Sequence, residues 1–238
     1  MANILLNISN FDEPWAYATM EQYLHPDTKV LILPLSYDEG WITDREEWYD
    51  RYGRGQQHYE ELVRPFRAFG IRDDQIRWVN YYEDDPSSAK RKIKEADVLF
   101  FTGGLPDWMM QRLYDLDIQQ DIRDYQGVVM GTSAGALIQL REFHLTEDAD
   151  YQFQYQYGLG LLDDFDIDVH YEQNEKHLYA IIRSLEDKGL PVICYPNQGG
   201  IVIDHGQYQL LGGAFVVTPD DLDEVYAAYE DSKTVGYW

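Results

Sequence analysis

The chain has 238 residues, with 19 Lys and Arg against 43 Asp and Glu, a net charge of −24, and one cysteine, Cys194. One cysteine excludes an intrachain disulfide, the charge sets the surface against nucleic-acid phosphates, and no apolar run approaches the roughly 20 residues of a membrane helix. A disulfide-free chain whose first residues form a short apolar run without basic flanks is expected in the cytoplasm.

Taken in order, Ala2 to Ile8 reads as a first strand. The Asn7-Ile8-Ser9 glycosylation pattern falls at its end and reads as chance. Helical character follows from Trp15 to Leu24. Lys29 to Leu35 is a second strand, apolar throughout and closed by Pro34. The stretch Asp38 to Gly55 is rich in Trp, Tyr and Arg; it fits a lid over a site, or an amphipathic helix start with solvated ion pairs, which is the commoner case. A helix is expected from Gln56 to Phe69, a strand from Ile76 to Tyr81, a helix from Ser87 to Ala96, and a strand from Asp97 to Thr102 ended by Gly103-Gly104. A helix over Asp107 to Tyr114 precedes a strand over Gly127 to Gly131 and a helix over Ala134 to Arg141. Tyr151, Phe153, Tyr155 and Tyr157 alternate with glutamines, as one face of a strand or hairpin; they fit internal packing, a wall of the site or a homodimer contact. Later strands fall at Phe165 to Val169, Val192 to Tyr195, Gly200 to Asp204 and Tyr208 to Leu211, with a helix over Glu175 to Asp187.

Strands that are apolar on both faces and alternate with helices require a parallel sheet covered on both sides. The expected fold is therefore α/β, a single domain over residues 1–238 with three α/β/α layers around a mostly parallel sheet. Residues 219–238 form an acidic, peripheral end.

The strongest local signal is Gly131-Thr132-Ser133-Ala134-Gly135-Ala136, a G-x-S-x-G turn between an apolar strand and a helix-forming run. At such a turn the serine hydroxyl is pushed out over the carboxyl ends of the strands, where ligands of open parallel sheets bind. Small neighbours let strand and helix approach, and the following N–H groups face a developing oxyanion. An ordinary glycine-rich turn explains a bare motif as well; the strand–turn–helix context favours a nucleophile. Its base is expected to be His170, just past the strand ending at Val169. His177 reads as a helix-surface residue, and His144 as lying beyond the helix that Ser133 starts. Asp148, Asp150, Asp163, Asp164, Asp166 and Asp168 are all candidates for an acidic partner. Histidine spacing gives no metal site, and no complete nucleotide-binding motif is present, so no cofactor is expected.

Further motifs occur in a fixed order: the LILPLS segment after the second strand, Phe101-Thr102-Gly103-Gly104, the Ser133 turn, Asp168-Val169-His170-Tyr171, Tyr195-Pro196, and Gly206 to Gly213. With these the chain resembles the S51 serine peptidases, the family of dipeptidase E and of cyanophycinase, over most of its length up to about Thr218. The resemblance implies a class I glutamine amidotransferase-like, flavodoxin-like fold. It implies Ser133 as nucleophile, His170 as base and Asp148 as acidic partner, with the N–H groups of Gly104 and Ala134 as oxyanion hole. It places Gly103, Leu105 and Tyr171 at the substrate. The implied activity is that of an exopeptidase or dipeptidase on small peptides or amides. The chain departs from dipeptidase E at Leu105, Leu137, Asn197 and Gln198, and between Glu172 and His177 it lacks the family's arginines, having only Lys176 as a firm cation. Aspartyl specificity is therefore not carried over. The alternative is a weakly active or inactive binding or regulatory protein on the same scaffold; an unrelated α/β-hydrolase esterase is disfavoured, because no HGGG-type segment precedes the turn.

Overall fold

The computed structural model describes residues 1–235. Its strands are β1 (Ala2–Leu6), β2 (Val30–Leu33), β3 (Ile76–Trp78), β4 (Val98–Phe101), β5 (Val128–Thr132), β6 (Glu142–Leu145), β7 (Gln154–Tyr157), β8 (Asp166–Asp168), β9 (Val192–Cys194), β10 (Gly199–Asp204), β11 (Gln207–Gly212) and β12 (Phe215–Val217). Its helices are α1 (Tyr17–Met20), α2 (Arg45–Tyr52), α3 (Gln57–Ala68), α4 (Pro86–Glu95), α5 (Pro106–Asp115), α6 (Gln119–Arg123), α7 (Ala134–Leu137), α8 (Glu175–Lys188) and α9 (Leu222–Val235).

The central sheet has seven strands in the order β11-β10-β1-β5-β4-β2-β3. β1, β5, β4, β2 and β3 run parallel, and the β10–β11 hairpin joins β1 antiparallel. The side-chain period of two sends alternate residues of the same strands into different cores. Leu5, Leu31, Leu33, Leu99, Phe101 and Val129 pack with residues of α4, α5, α6 and α7. Ile4, Leu6, Val30, Ile32, Phe100 and Met130 pack with α1 and α3 on the other face. Both faces are covered, which is why these strands read as apolar throughout.

Several expectations are corrected. The strand after Phe165 and the strand at Val192 do not enter the central sheet; with β12 they form a separate sheet, β12-β9-β8. The helix after Ser133 stops at Leu137, and the chain turns into β6, which pairs with β7 in the expected aromatic hairpin. Asp38 to Gly55 follows the helix expectation: Trp48 and Tyr52 of α2 pack with Tyr37 and Ile42, and Arg45 and Arg54 pair with Glu83 and Asp73. Within the acidic end, Val225 and Tyr229 of α9 pack against Leu178, Ile182 and Leu185 of α8. The part of that end from 236 to 238 lies outside the described residues.

Candidate active site

β5 ends at Thr132, and the chain reverses into α7 through Ser133, whose φ of 50° and ψ of −115° lie in a region that costs a side-chain-bearing residue energy. The small neighbours make the reversal sterically open. A Cβ on Gly131 would lie 2.0 Å from Gly135 O, and one on Gly135 would lie 2.2 Å from Phe101 O. Any larger residue at either position would push α7 away from β5 or β4. The Ser133 N–H donates to Leu6 O at 2.9 Å, tying the turn to the end of β1.

His170 comes from the other sheet, two residues beyond β8. Its Nε2 lies 2.9 Å from Ser133 Oγ. Its φ of 55° is also in the left-handed region. His170 stays exposed to solvent by surface area, yet the protein packed around its ring desolvates it in part and lowers the imidazole pKa below the ordinary value, and nearby His177 lowers it further; Asp168 and Asp148 act the other way. A neutral imidazole against a serine hydroxyl is the arrangement a general base requires.

The turn after β4 faces the same point. Gly104 has a φ of 137°, and a Cβ there would lie 2.3 Å from Ser36 O, so only glycine fits. Leu105 N–H donates to Ser36 O at 2.7 Å, and Ser36 Oγ donates to Gly103 O at 2.5 Å, which fixes the turn. Gly103 lies beside Ser133: a Cβ on it would be 3.4 Å from the serine Cβ. Ala134 is the first residue of α7, so its N–H has no acceptor within the helix. Gly104, Ser133, Ala134, Asp148, His170 and His177 all line one cavity of about 150 Å³.

Asp148 is brought to this cavity but makes no hydrogen bond to His170. Its Oδ1 instead accepts the N–H groups of Asp150 and Tyr151, both at 2.8 Å, and so shapes the turn between β6 and β7. Leu105 and Tyr171 lie outside the cavity lining. Tyr171 packs edge-on against Phe215 and His177, and its N–H donates to Tyr195 O at 2.8 Å.

Two histidines expected elsewhere belong to this region. His177 is not a surface residue: Asn174 caps α8 by accepting from the Lys176 and His177 N–H groups, and His177 Nδ1 lies 2.7 Å from Asp168 Oδ2 at the cavity wall. His144 is buried on β6, with Nδ1 2.9 Å from Asp166 and Nε2 3.2 Å from Asp168. Burial pushes its pKa down, but the two carboxylates outweigh this and raise it to about 9. Lys188 and Ser184 donate to Asp166, both at 2.7 Å, and Thr146 donates to Asp168 at 2.6 Å. This network underpins β8, the strand that delivers His170. Nothing in the periodicity of the sequence pairs residues 144, 166, 168 and 177; only the shared presence of acids on β8 hinted at it.

Cys194 is fully buried, and burial pushes its thiol well above the ordinary range, so it offers no thiolate. A larger groove of about 870 Å³ lies beside β3, walled by Trp48, Tyr52, Tyr59 and Trp78, and shares no lining residue with the Ser133 cavity. Among the described residues no group of three or more His, Cys, Asp or Glu is arranged to hold a metal ion. Among them, too, no helix is long and apolar enough to cross a membrane.

Fold and site together define an α/β protein of flavodoxin-like type, with a strained serine facing a histidine at the carboxyl ends of its parallel strands. The chain belongs to peptidase family S51, whose family model matches residues 53–211, more than half of the sequence. Solved structures share the fold. A protein assigned as peptidase E from Listeria monocytogenes EGD-e aligns with a TM-score of 0.62 at 16% identity, over 88% of this chain and 98% of its own. A peptidase from an acI-B1 Actinobacterium aligns with a TM-score of 0.60 at 14% identity, over 91% of this chain and 93% of its own. No curated protein matches the sequence.

Proposed function

We propose that this S51 peptidase cleaves short peptides, one or two residues from an end, through an acyl-enzyme on Ser133. The observation that carries the reading is the 2.9 Å contact between His170 Nε2 and the Oγ of a serine held at positive φ. With Nδ1 carrying the ring proton, neutral His170 accepts the Ser133 hydroxyl proton at Nε2 as Oγ attacks the scissile carbonyl. The carbonyl oxygen, now negative, is met by the N–H groups of Gly104 and Ala134. His170 then gives its proton to the leaving amine, and a water molecule reverses the sequence to free the acid. Asp148 supplies negative charge that favours the imidazolium from the cavity rim, without a hydrogen bond to the ring.

The size of the cavity supports small substrates. About 150 Å³ is below the ~300 Å³ at which drug-sized ligand pockets begin, and fits one side chain or the end of a peptide. No Arg or Lys lines it, so it offers no fixed cation to a substrate carboxylate. Neutral dipeptides are the first class to assay.

Intact-mass spectrometry after treatment with a fluorophosphonate tests the mechanism. One adduct is expected on the wild type and none on Ser133→Ala, with kcat on a cleaved peptide reduced on the order of 10⁴-fold or more in that variant. Equal labelling of both proteins, or unchanged hydrolysis by Ser133→Ala, would sink the reading.

A further inference from the structure

Among the described residues no carboxylate is hydrogen-bonded to His170 as in a Ser-His-Asp triad, yet its Nε2 lies on Ser133 Oγ. Its orientation comes from the backbone. β8 and β9 are parallel, and the Tyr195 N–H donates to Asp168 O at 2.8 Å. In a regular parallel ladder the next donor to Tyr195 O would be the His170 N–H. Instead the Tyr171 N–H donates to it at 2.8 Å. One extra residue is accommodated there, a bulge of the kind that re-aims side chains beside active sites. His170 takes up the bulge with its positive φ.

The bulge removes the His170 N–H from the ladder, and a backbone donor left out of a ladder takes another acceptor. That acceptor is Asn7 Oδ1, at 2.8 Å. Asn7 is 1% exposed, and its Nδ2 is fixed in turn by Pro196 O at 3.1 Å and by Asn197 O at 3.4 Å. Its own N–H donates to Gly199 O. The residue before it, Leu6, accepts the Ser133 N–H. Two consecutive residues at the end of β1 therefore hold the serine and the histidine from behind. The carboxamide is committed to the interior, so the glycosylation pattern at Asn7 has no glycan-accepting role.

We propose that Asn7 is a positioning residue, which holds the bulged His170 so that its imidazole meets Ser133. This rests on the Ser133–His170 reading above, and its test separates the two. The first readout is the rate of Ser133 labelling by a fluorophosphonate. Asn7→Ala should slow it about tenfold or more, a share of what general-base catalysis supplies. Asn7→Asp keeps an acceptor oxygen for the His170 N–H, and as a buried neutral acid its hydroxyl can donate to Pro196 O in place of Nδ2, so it should recover most of that loss.

The second readout needs no activity. In NMR spectra of the assigned histidines, Ser133→Ala should displace the His170 ring signals and titration in the wild-type background, because the two side chains touch. In the Asn7→Ala background that response should vanish, and in Asn7→Asp it should persist. If Asn7→Ala does not fold, Asn7→Asp alone carries the test through its retained response. A full His170 response to Ser133→Ala in the Asn7→Ala protein, or its loss in folded Asn7→Asp, overturns the role of Asn7. Wild-type protein that is never labelled at Ser133 overturns the hydrolytic reading instead, and leaves the NMR comparison to decide on Asn7.

Discussion

A serine hydroxyl is a weak nucleophile at neutral pH, and in the proposed mechanism its activation depends on the charge state of His170. Burial and the neighbouring His177 hold that imidazole below its usual pKa, so at pH 7 it is neutral and can accept a proton. The labelling rate of Ser133 should therefore fall as pH drops through a value below about 6.5, the unperturbed histidine pKa, and be level above pH 7. A midpoint above 7 would mean that carboxylates, not burial, set the ring's titration. His170→Ala should lower the plateau by roughly 10²- to 10⁴-fold and abolish this limb of the profile.

At the scale of elements, two short segments decide whether the site assembles. The first is the β5–α7 reversal, where Gly135→Ala would place a methyl group against Phe101 O. Overpacking of this kind costs roughly 1–3 kcal/mol, measurable as a lower urea midpoint. It should also slow Ser133 labelling, because Ala134 and its N–H move with α7.

The second is β8, anchored by the buried His144, Asp166 and Asp168. The His144 pKa is raised to about 9, so the stability this histidine contributes is complete below its unfolded value of about 6.5 and is lost as pH rises through about 9. Asp166 and Asp168 are held below the ordinary carboxylate range, so their contribution is lost as pH falls below about 4. His144→Leu leaves both carboxylates short of a partner, which costs roughly 3–5 kcal/mol at pH 6. Urea unfolding should show that the gap to wild type narrows above pH 9; a pH-independent gap would mean that packing, not charge, is what His144 supplies.

For the whole molecule the dominant long-range term is the charge of −24. Several of the few cations are already engaged in surface pairs, such as Arg67 with Glu60 and Asp73, which leaves a large acidic excess. Self-repulsion of that excess opposes the compact state, and salt screens it. Thermal unfolding should therefore shift upward from low salt to about 0.5 M sodium chloride, where the Debye length is only a few ångströms. A downward shift would mean that the surface ion pairs outweigh the repulsion.

The amino-acid sequence by itself determined the fold class and pointed to half of the candidate site. Strands apolar on both faces can exist only in a sheet covered on both sides. The run of small residues around Ser133, set between an apolar strand and a helix-forming run, favours a tight strand-to-helix reversal, and both are local properties that a linear chain displays. The position of His170 after a strand was legible for the same reason. Its route to Ser133 was not: β8 lies in a second sheet, and the residues that complete the site, Asn7, His144, Asp168 and His177, come together through contacts spanning up to 163 positions. Asn7 looked like the end of a strand and His177 like a helix surface, and only the resemblance set Asp148 apart from five other aspartates as the orienting acid. The tertiary structure decided otherwise, because a bulge in one ladder releases an N–H that only a neighbour distant in sequence can accept, and neither the bulge nor its partner leaves a periodic mark on the chain.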